Sequence, residues 1–323
     1  MPANGDLGQL LQMGDDSDPC AEFLKELPKD IKRRICALKK LQLQSLEVES
    51  EFFQRVHQLE KEFESKFNKL YDLRRKVVTG EKEPTDEEAN APLLHGATPE
   101  ELAALNETAP ETSDKKGVPN FWSHVFENCE TISEMIQEHD KDILNYLIDV
   151  TTTVETAPEE GFSLAFYFAA NPYFKNSVLT KRYFLQMKPE EDNPFEFDGP
   201  SVIRTTGDQI QWEDGKDLTK KIIKKKSKKG ANAGKFLTKT IKADSFFNFF
   251  DPPACDHDHQ NEDDDDLEEE RELLRADFEL GQLMRSVVIP RAVLFYTGEQ
   301  TDDDFFDDAD FEDDDDMEDE DDD

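Results

Sequence analysis

The sequence predicts an α+β fold: a long dimerisation helix, then an α/β domain with an antiparallel sheet and a protruding basic hairpin, then an acidic, disordered C-terminal tail. Three observations support this prediction. The stretch from Lys29 to Thr79 contains neither Gly nor Pro, segments of alternating hydrophobicity follow it, and residues 299–323 are mostly acidic. Helices followed by closely spaced strands are typical of the α+β class.

The charge balance limits the partners that the chain can have. Its 323 residues include 76 Asp and Glu against 38 Lys and Arg, for a formal net charge of -38. Such a surplus destabilises a compact state by self-repulsion and usually serves a cationic partner. Direct binding of nucleic acid instead requires a positive surface. We therefore expect a basic protein as partner, and the 24 Phe residues supply enough apolar area for a folded core.

The cysteines and the N-terminal residues favour an intracellular protein. Cys20, Cys36, Cys129 and Cys255 are scattered without a CxxC pair, which is typical of neither a disulfide framework nor a zinc module. The N-terminus has no basic region followed by an apolar stretch, so no secretory signal is predicted. No apolar run approaches the roughly 20 residues that cross a bilayer, and no membrane partner is expected.

The first part of the chain contains the long helix. Residues 1–20 are predicted to be disordered, and the dimerisation-helix region 21–79 begins with a short helix closed by Pro28. A fully helical 29–79 would extend about 75 Å, far beyond the roughly 30 Å of a small domain. Packing along its own domain is the alternative, but self-association as a homodimer accounts better for this length. The residues expected to form this interface are Ile35, Leu38, Phe52, Val56, Leu59, Phe63 and Leu70, on a stripe that drifts because polar residues interrupt it.

The middle of the chain contains the predicted domain. Residues 80–116 are polar and predict a mobile insertion with one short helix, Pro99–Leu105. The α/β domain, 117–298, follows with strands predicted at Ile148–Val154, Gly161–Phe168 and Leu179–Met187. The sequence SFFNFFDPP (245–253) places four Phe on about two turns, which predicts core because so much apolar area is unfavourable in water. An amphipathic helix is predicted at Leu273–Ile289.

A basic hairpin is predicted at about 210–242, which contains eleven Lys and only three acidic residues. Its tip, KKKSKK, could be a solvated face, a contact for DNA or an acidic neighbour, or a nuclear import signal. We favour an import receptor as its partner. The residues expected to carry import are Lys224, Lys225, Lys226, Lys228 and Lys229.

Two acidic segments follow, a loop at 254–272 and the tail at 299–323. The tail has eighteen acidic residues and no Lys or Arg, and with little to bury it is predicted to be disordered. It could be a solubility device, or a polyanion that binds a basic partner. The candidate binding residues are Asp302, Asp303, Asp304, Asp313, Asp314, Asp315, Asp316, Glu318, Asp319 and Glu320.

No catalytic or metal site is predicted. The sequence lacks a phosphate-binding loop, an HExxH motif and a GxSxG motif, so an enzyme is not expected. Cys255, His257 and His259 alternate along one segment, but no fourth zinc ligand stands at a defined spacing. No cofactor is expected.

Five segments resemble the nucleosome assembly protein family of histone chaperones. They are GVPNFWSHVFEN (117–128), GFSLAFYFAANPYFKNSVLTKRY (161–183), QWEDGKDLTKKIIKKKSKKG (211–230), SFFNFFDPP (245–253) and FELGQLMRSVVIPRAVLFYTGE (278–299), and the similarity runs from about residue 22 to 299.

The resemblance implies that core histones are the basic partner, and that DNA is contacted only through them. It also implies a dimer built on the long helix, an acidic underside that receives histones, and shuttling between nucleus and cytoplasm. SET-type proteins share the fold, so an acidic regulatory protein such as a phosphatase inhibitor stays open. A nuclear export signal at Leu38–Val48 is a further alternative to dimer packing for those leucines.

Overall fold

A computed structural model describes residues 19–107, 114–191, 193–226, 236–252 and 264–302. These residues form two compact units, and the long helix belongs to both. The N-terminal unit contains the described residues up to Gln54 together with Lys188–Gly199. The sheet unit contains Arg55–Met187 and the described residues from Pro200 onward. The division therefore falls within the helix, between Gln54 and Arg55.

The N-terminal unit is built on two helices, α1 (Pro19–Glu26) and α2 (Lys29–Val78), of which α2 continues into the sheet unit. Its second component, Lys188–Gly199, contains one turn of 3-10 helix at Pro194–Glu196. The rings of Phe53 and Phe197 meet edge to face with their centroids 6.3 Å apart. Gly199 has a φ of 128°, and a Cβ placed there would lie 3.3 Å from the Phe53 ring, so this close approach requires glycine.

The sheet unit contains a four-stranded antiparallel sheet in the order β1-β2-β3-β4. Three strands lie within one residue of their predicted bounds, and the fourth was not predicted. The strands are β1 (Leu147–Glu155), β2 (Gly161–Phe168), β3 (Val178–Gln186) and β4 (Ser201–Gly207). Alternate residues of β2, from Phe162 to Phe168, are buried, which places one face of the sheet against the core.

A separate antiparallel pair, β5 (Lys220–Lys226) and β6 (Phe236–Lys242), confirms the predicted hairpin. The tip between them lies outside the described residues. The insertion contains α3 (Pro99–Glu107), two residues longer than predicted. Thr98 and Glu101 form a reciprocal capping box at its start, because the Thr98 N–H donates to Glu101 and the Glu101 N–H donates to the Thr98 hydroxyl.

Short helices and one long helix complete the sheet unit. The short ones are α4 (Phe121–Glu127), α5 (Glu130–Ser133), α6 (Lys141–Leu144) and α8 (Ala292–Thr297). The long one, α7 (Asp264–Leu283), continues as one π-helical stretch at Met284–Val288. It begins nine residues before the predicted helix, so the C-terminal part of the predicted acidic loop 254–272 is helical.

The phenylalanine-rich segment lies at the centre of the core, as predicted. Phe246–Phe250 form a 3-10 helix, and its four phenylalanines are buried. Buried Asp140 positions this helix: its carboxylate accepts hydrogen bonds from the Ser245 hydroxyl at 2.7 Å and the Phe246 N–H at 2.8 Å. Side chains from α2 reach the end of β1, where His57 Nε2 lies 2.8 Å from the Glu155 carbonyl oxygen and Lys61 Nζ donates to the Val154 carbonyl at 2.7 Å.

Candidate functional site

Asp302, which belongs to the acidic tail 299–323, is bound to the sheet unit; we call this tail the acidic segment. Its side chain is only 2% exposed. One carboxylate oxygen accepts the Glu130 N–H at 2.7 Å, and the other accepts the Thr131 N–H at 2.7 Å and the Thr131 hydroxyl at 2.6 Å. Asp302 therefore satisfies the two free N–H groups at the start of α5, in the manner of a capping residue.

The electrostatics of this attachment favour the ionised carboxylate. Burial alone would raise the pKa of Asp302, but the hydrogen bonds from Thr131 and Glu130 outweigh it, and the pKa lies below its ordinary value. The neighbouring Cys129 thiol is buried, which raises its pKa to about 12, with a smaller contribution from Asp302. The charge of Asp302 is thus stabilised, and this cysteine stays protonated.

Exposed carboxylates are frequent in the sequence around Glu130 and Thr131. Residues 127–142 contain six acidic residues and one lysine, Lys141, which pairs with Glu138 at 3.0 Å. All of the acidic residues except Asp140 have exposed side chains. We name the exposed ones the acidic strip: Glu127, Glu130, Glu134, Glu138 and Asp142. Because Asp302 bonds the backbone of Glu130, Asp302 lies next to one residue of this strip.

The structure corrects one predicted binding residue. Asp302 was predicted to lie in a solvated, disordered tail, but it is buried and both carboxylate oxygens are engaged, so it is not available to a partner in this conformation. The folded region also extends past the predicted boundary at 298. Glu299 accepts the His95 N–H at 2.6 Å. The other predicted tail residues, 303–304, 313–316 and 318–320, lie outside the described residues.

The predicted dimer residues remain largely uncovered in the single chain. Phe52 is 59% exposed and Leu70 is 62% exposed, and Leu38, Val56, Leu59 and Phe63 are exposed as well. Ile35 is half-buried. Leu41, Val48 and Phe67, which are also exposed, broaden the same stripe. These apolar side chains lie along one side of α2, as the periodicity predicts.

The predicted import residues divide between described and undescribed positions. The backbone of Lys224, Lys225 and Lys226 belongs to β5, whereas Lys228 and Lys229 lie outside the described residues.

The segment with Cys255, His257 and His259 also lies outside the described residues. In the described part of the chain, no group of three or more His, Cys, Asp or Glu side chains is arranged to hold a metal ion. None of the helices described there combines the length and apolarity of a membrane span.

Lys181 and Asp149 are buried charged residues that were not foreseen from the sequence. Lys181 Nζ is fully buried, bonds the Phe249 carbonyl at 2.6 Å and pairs with Asp277 of α7. Burial lowers the pKa of Lys181 to about 8, although Asp277 opposes the shift. Asp149, also buried, has a pKa raised to about 6 by burial. Because each contacts elements of the same core, we assign them structural roles.

The comparisons with known proteins agree with this architecture. A family model described as Nucleosome assembly protein (NAP) matches residues 33–299. Nucleosome assembly protein 1-like 1-A of Xenopus laevis is 41% identical over 290 residues, which cover 87% of this chain and 72% of the relative. Nucleosome assembly protein 1-like 4 of Homo sapiens is 38% identical over 299 residues, which cover 88% and 78%.

A solved structure shares the fold. Nucleosome Assembly Protein 1 from Plasmodium knowlesi superposes with a TM-score of 0.50 at 24% identity, covering 84% of this chain and 99% of that one. The family model covers almost all of α2, the whole sheet and the helices that follow the sheet, and it ends at Glu299. With that span and with relatives about 40% identical, the chain belongs to the nucleosome assembly protein family.

Proposed function

We propose that this chain is a histone chaperone that binds core histones, shields their charge and promotes their deposition on DNA. The family to which it belongs supports this function, and its strong negative charge suits a basic client. The role requires reversible binding and no covalent chemistry. DNA is contacted only through the histones, because an acidic surface repels phosphate.

The observation that carries the proposal is the attachment at Asp302. Asp302 bonds the backbone of Glu130, a residue of the acidic strip, so the sixteen acidic residues that follow Asp302 in the sequence are joined covalently to the folded unit next to Glu130. Single exposed carboxylates interact weakly beyond a Debye length of about 8 Å at physiological salt. A cluster creates a larger potential that attracts a basic client and competes with DNA phosphates for it.

We test this function by measuring the affinity for core histones at several salt concentrations. The full chain is compared with a truncation after Asp302, which removes sixteen carboxylates and keeps the anchor. We expect the truncated chain to bind more weakly, and its affinity to depend less on salt, since fewer ion pairs form. Binding by neither protein would reject the proposal.

One further outcome and one further assay test the alternative functions of the tail and of the chain. Equal affinities and equal salt slopes would reduce the tail to a solubility device. A phosphatase assay with the full chain tests the SET-like alternative. That alternative requires the chain to inhibit the phosphatase at chain concentrations at which it does not bind histones.

We further propose that the chain forms a homodimer through the stripe on α2 and enters the nucleus through the lysines of the hairpin, with an import receptor as partner. The exposed apolar side chains of α2 support the dimer, because a patch of this length is unfavourable in water. The density of Lys224 to Lys229 in an otherwise acidic chain supports import. We also propose that the protein shuttles between nucleus and cytoplasm; the hairpin lysines account for its entry into the nucleus.

A further inference from the structure

The N-terminal unit contains a groove that the proposed histone surface does not use. It has a volume of about 410 Å³ and lies between α2 and the segment Lys188–Gly199. Its apolar lining comes from Leu43, Leu46, Pro189 and Pro194. Leu46 is buried, and the other three are half-buried, so the groove exposes apolar surface without being closed. A concave, mostly apolar site of this size is typical of a binding site.

The rim of the groove is acidic. Glu47 and Glu51 of α2 stand on one side, and Glu190 and Glu191 stand on the other. All four side chains are exposed, and Lys188 is the one cation among the lining residues. An apolar floor between two pairs of carboxylates suits a ligand that carries an apolar group flanked by positive charges.

The groove and the dimer stripe occupy opposite faces of α2. Ser50 and Gln54 line the groove, while Val48 and Phe52 belong to the exposed stripe. Two residues along a helix turn its surface by about 200°. A homodimer that buries the stripe therefore leaves the groove open to a third molecule.

We propose that this groove binds an extended, lysine- and arginine-rich segment of the histone client, which inserts one apolar side chain between Leu46 and the two prolines. The cations of that segment meet Glu47, Glu51, Glu190 and Glu191. The inference rests on the proposed function and adds a second contact, in a different unit from the acidic strip.

The test uses the full chain and two labelled peptides. Both alternate lysine and alanine, but one has a central leucine and the other a central asparagine. A flexible polyanion does not distinguish them, whereas the groove does, because it buries the leucine. We expect wild type to bind the leucine peptide roughly tenfold more tightly, the effect of partly burying one such side chain.

The variant Glu47→Lys with Glu51→Lys should lose this preference and bind both peptides alike. The matched control, Glu83→Lys with Glu87→Lys, makes the same charge change at exposed insertion residues and should keep the preference. Leu43→Gln, which leaves the charge unchanged, should lower the leucine preference without weakening the asparagine peptide. Circular dichroism establishes that each variant is folded.

The remaining outcomes distinguish failure of the groove proposal from failure of the proposed function. No leucine preference in wild type, or an unchanged preference in the Glu47 and Glu51 variant, overturns the groove as a binding site. If core histones still bind with the expected salt dependence, the proposed function survives that result. If wild type binds neither peptide nor histones, the proposed function itself fails.

Discussion

The sheet unit and the N-terminal unit are stabilised in different ways. The sheet unit buries Trp122, Phe166 and the phenylalanines of the Phe246–Phe250 helix in one continuous core. Within the described part of the N-terminal unit, Leu46 is the large apolar side chain that is buried, and most of the others along α2 are exposed. Fully burying a large apolar side chain contributes about 1.5–3 kcal/mol. The first unit can therefore stabilise itself, whereas the second depends on further contacts.

The largest expected effect is on the core of the sheet unit. Phe246→Ala should lower the free energy of unfolding by roughly 3–5 kcal/mol, because it leaves a cavity among packed rings. Phe195→Ala, at a 46% exposed ring of the N-terminal unit, should cost about 0.5 kcal/mol. Urea unfolding of both variants measures the contrast. Similar losses would show that the two units do not differ in this way.

The next effect concerns the stripe on α2. Phe52→Glu with Val56→Lys places charges on an apolar interface and should yield monomers or aggregates. The control, Gln58→Glu with Glu62→Lys, introduces the same pair at the same spacing on exposed polar positions and should remain dimeric. Sedimentation at micromolar concentration measures the mass. A monomeric wild type would show that the exposed stripe has another purpose.

A smaller effect is expected at the anchor of the acidic segment. Asp302→Asn should destabilise the sheet unit by roughly 1–3 kcal/mol, because an amide cannot accept all three hydrogen bonds. The pKa of Asp302 is lowered in the folded state, so its contribution is present above the unfolded pKa and is lost as pH falls through the folded value.

Unfolding measured from neutral pH downward should therefore show the wild type and the Asn variant converging below about pH 4. Asp142→Asn, at an exposed carboxylate of the acidic strip, is the control and should change stability little. A constant difference at every pH would mean that the charge of Asp302 is not what anchors the segment.

The smallest effect on the fold is expected at the hairpin. Changing Lys224, Lys225, Lys226, Lys228 and Lys229 to Gln should leave the stability of both units and histone binding unchanged, and should shift the steady-state pool of the protein toward the cytoplasm. Imaging of the tagged protein measures the distribution. Unchanged nuclear entry would exclude this segment as the main import signal.

Regular elements with strong local patterns were predictable from the sequence. The helix Lys29–Val78 lacks breakers, β2 alternates buried and less buried residues, and the SFFNFF segment is too apolar to be exposed. The strand β4 was missed because it is an end strand whose residues, apart from Thr205, are exposed or half-buried, so its sequence shows little alternation.

Contacts between distant residues were not predictable in this way. Asp302 stands among other aspartates, and the composition of that segment indicates a solvated tail. Asp302 nevertheless bonds residues more than 170 positions earlier in the chain. The packing of Lys188–Gly199 on α2 is of the same kind. Local periodicity contains no information on contacts between residues that are far apart in the sequence. The groove formed by Lys188–Gly199 and α2 could therefore not be predicted either.

The contacts of α2 with the end of β1 have a consequence for aggregation. β1 is an end strand of the sheet, and such a strand can recruit an extended chain through its free backbone groups. His57 and Lys61 already engage the carbonyls of Glu155 and Val154. An incoming strand would have to displace both side chains before pairing there. The contacts of α2 therefore obstruct strand addition at this end of β1, where the sheet would otherwise present free backbone groups.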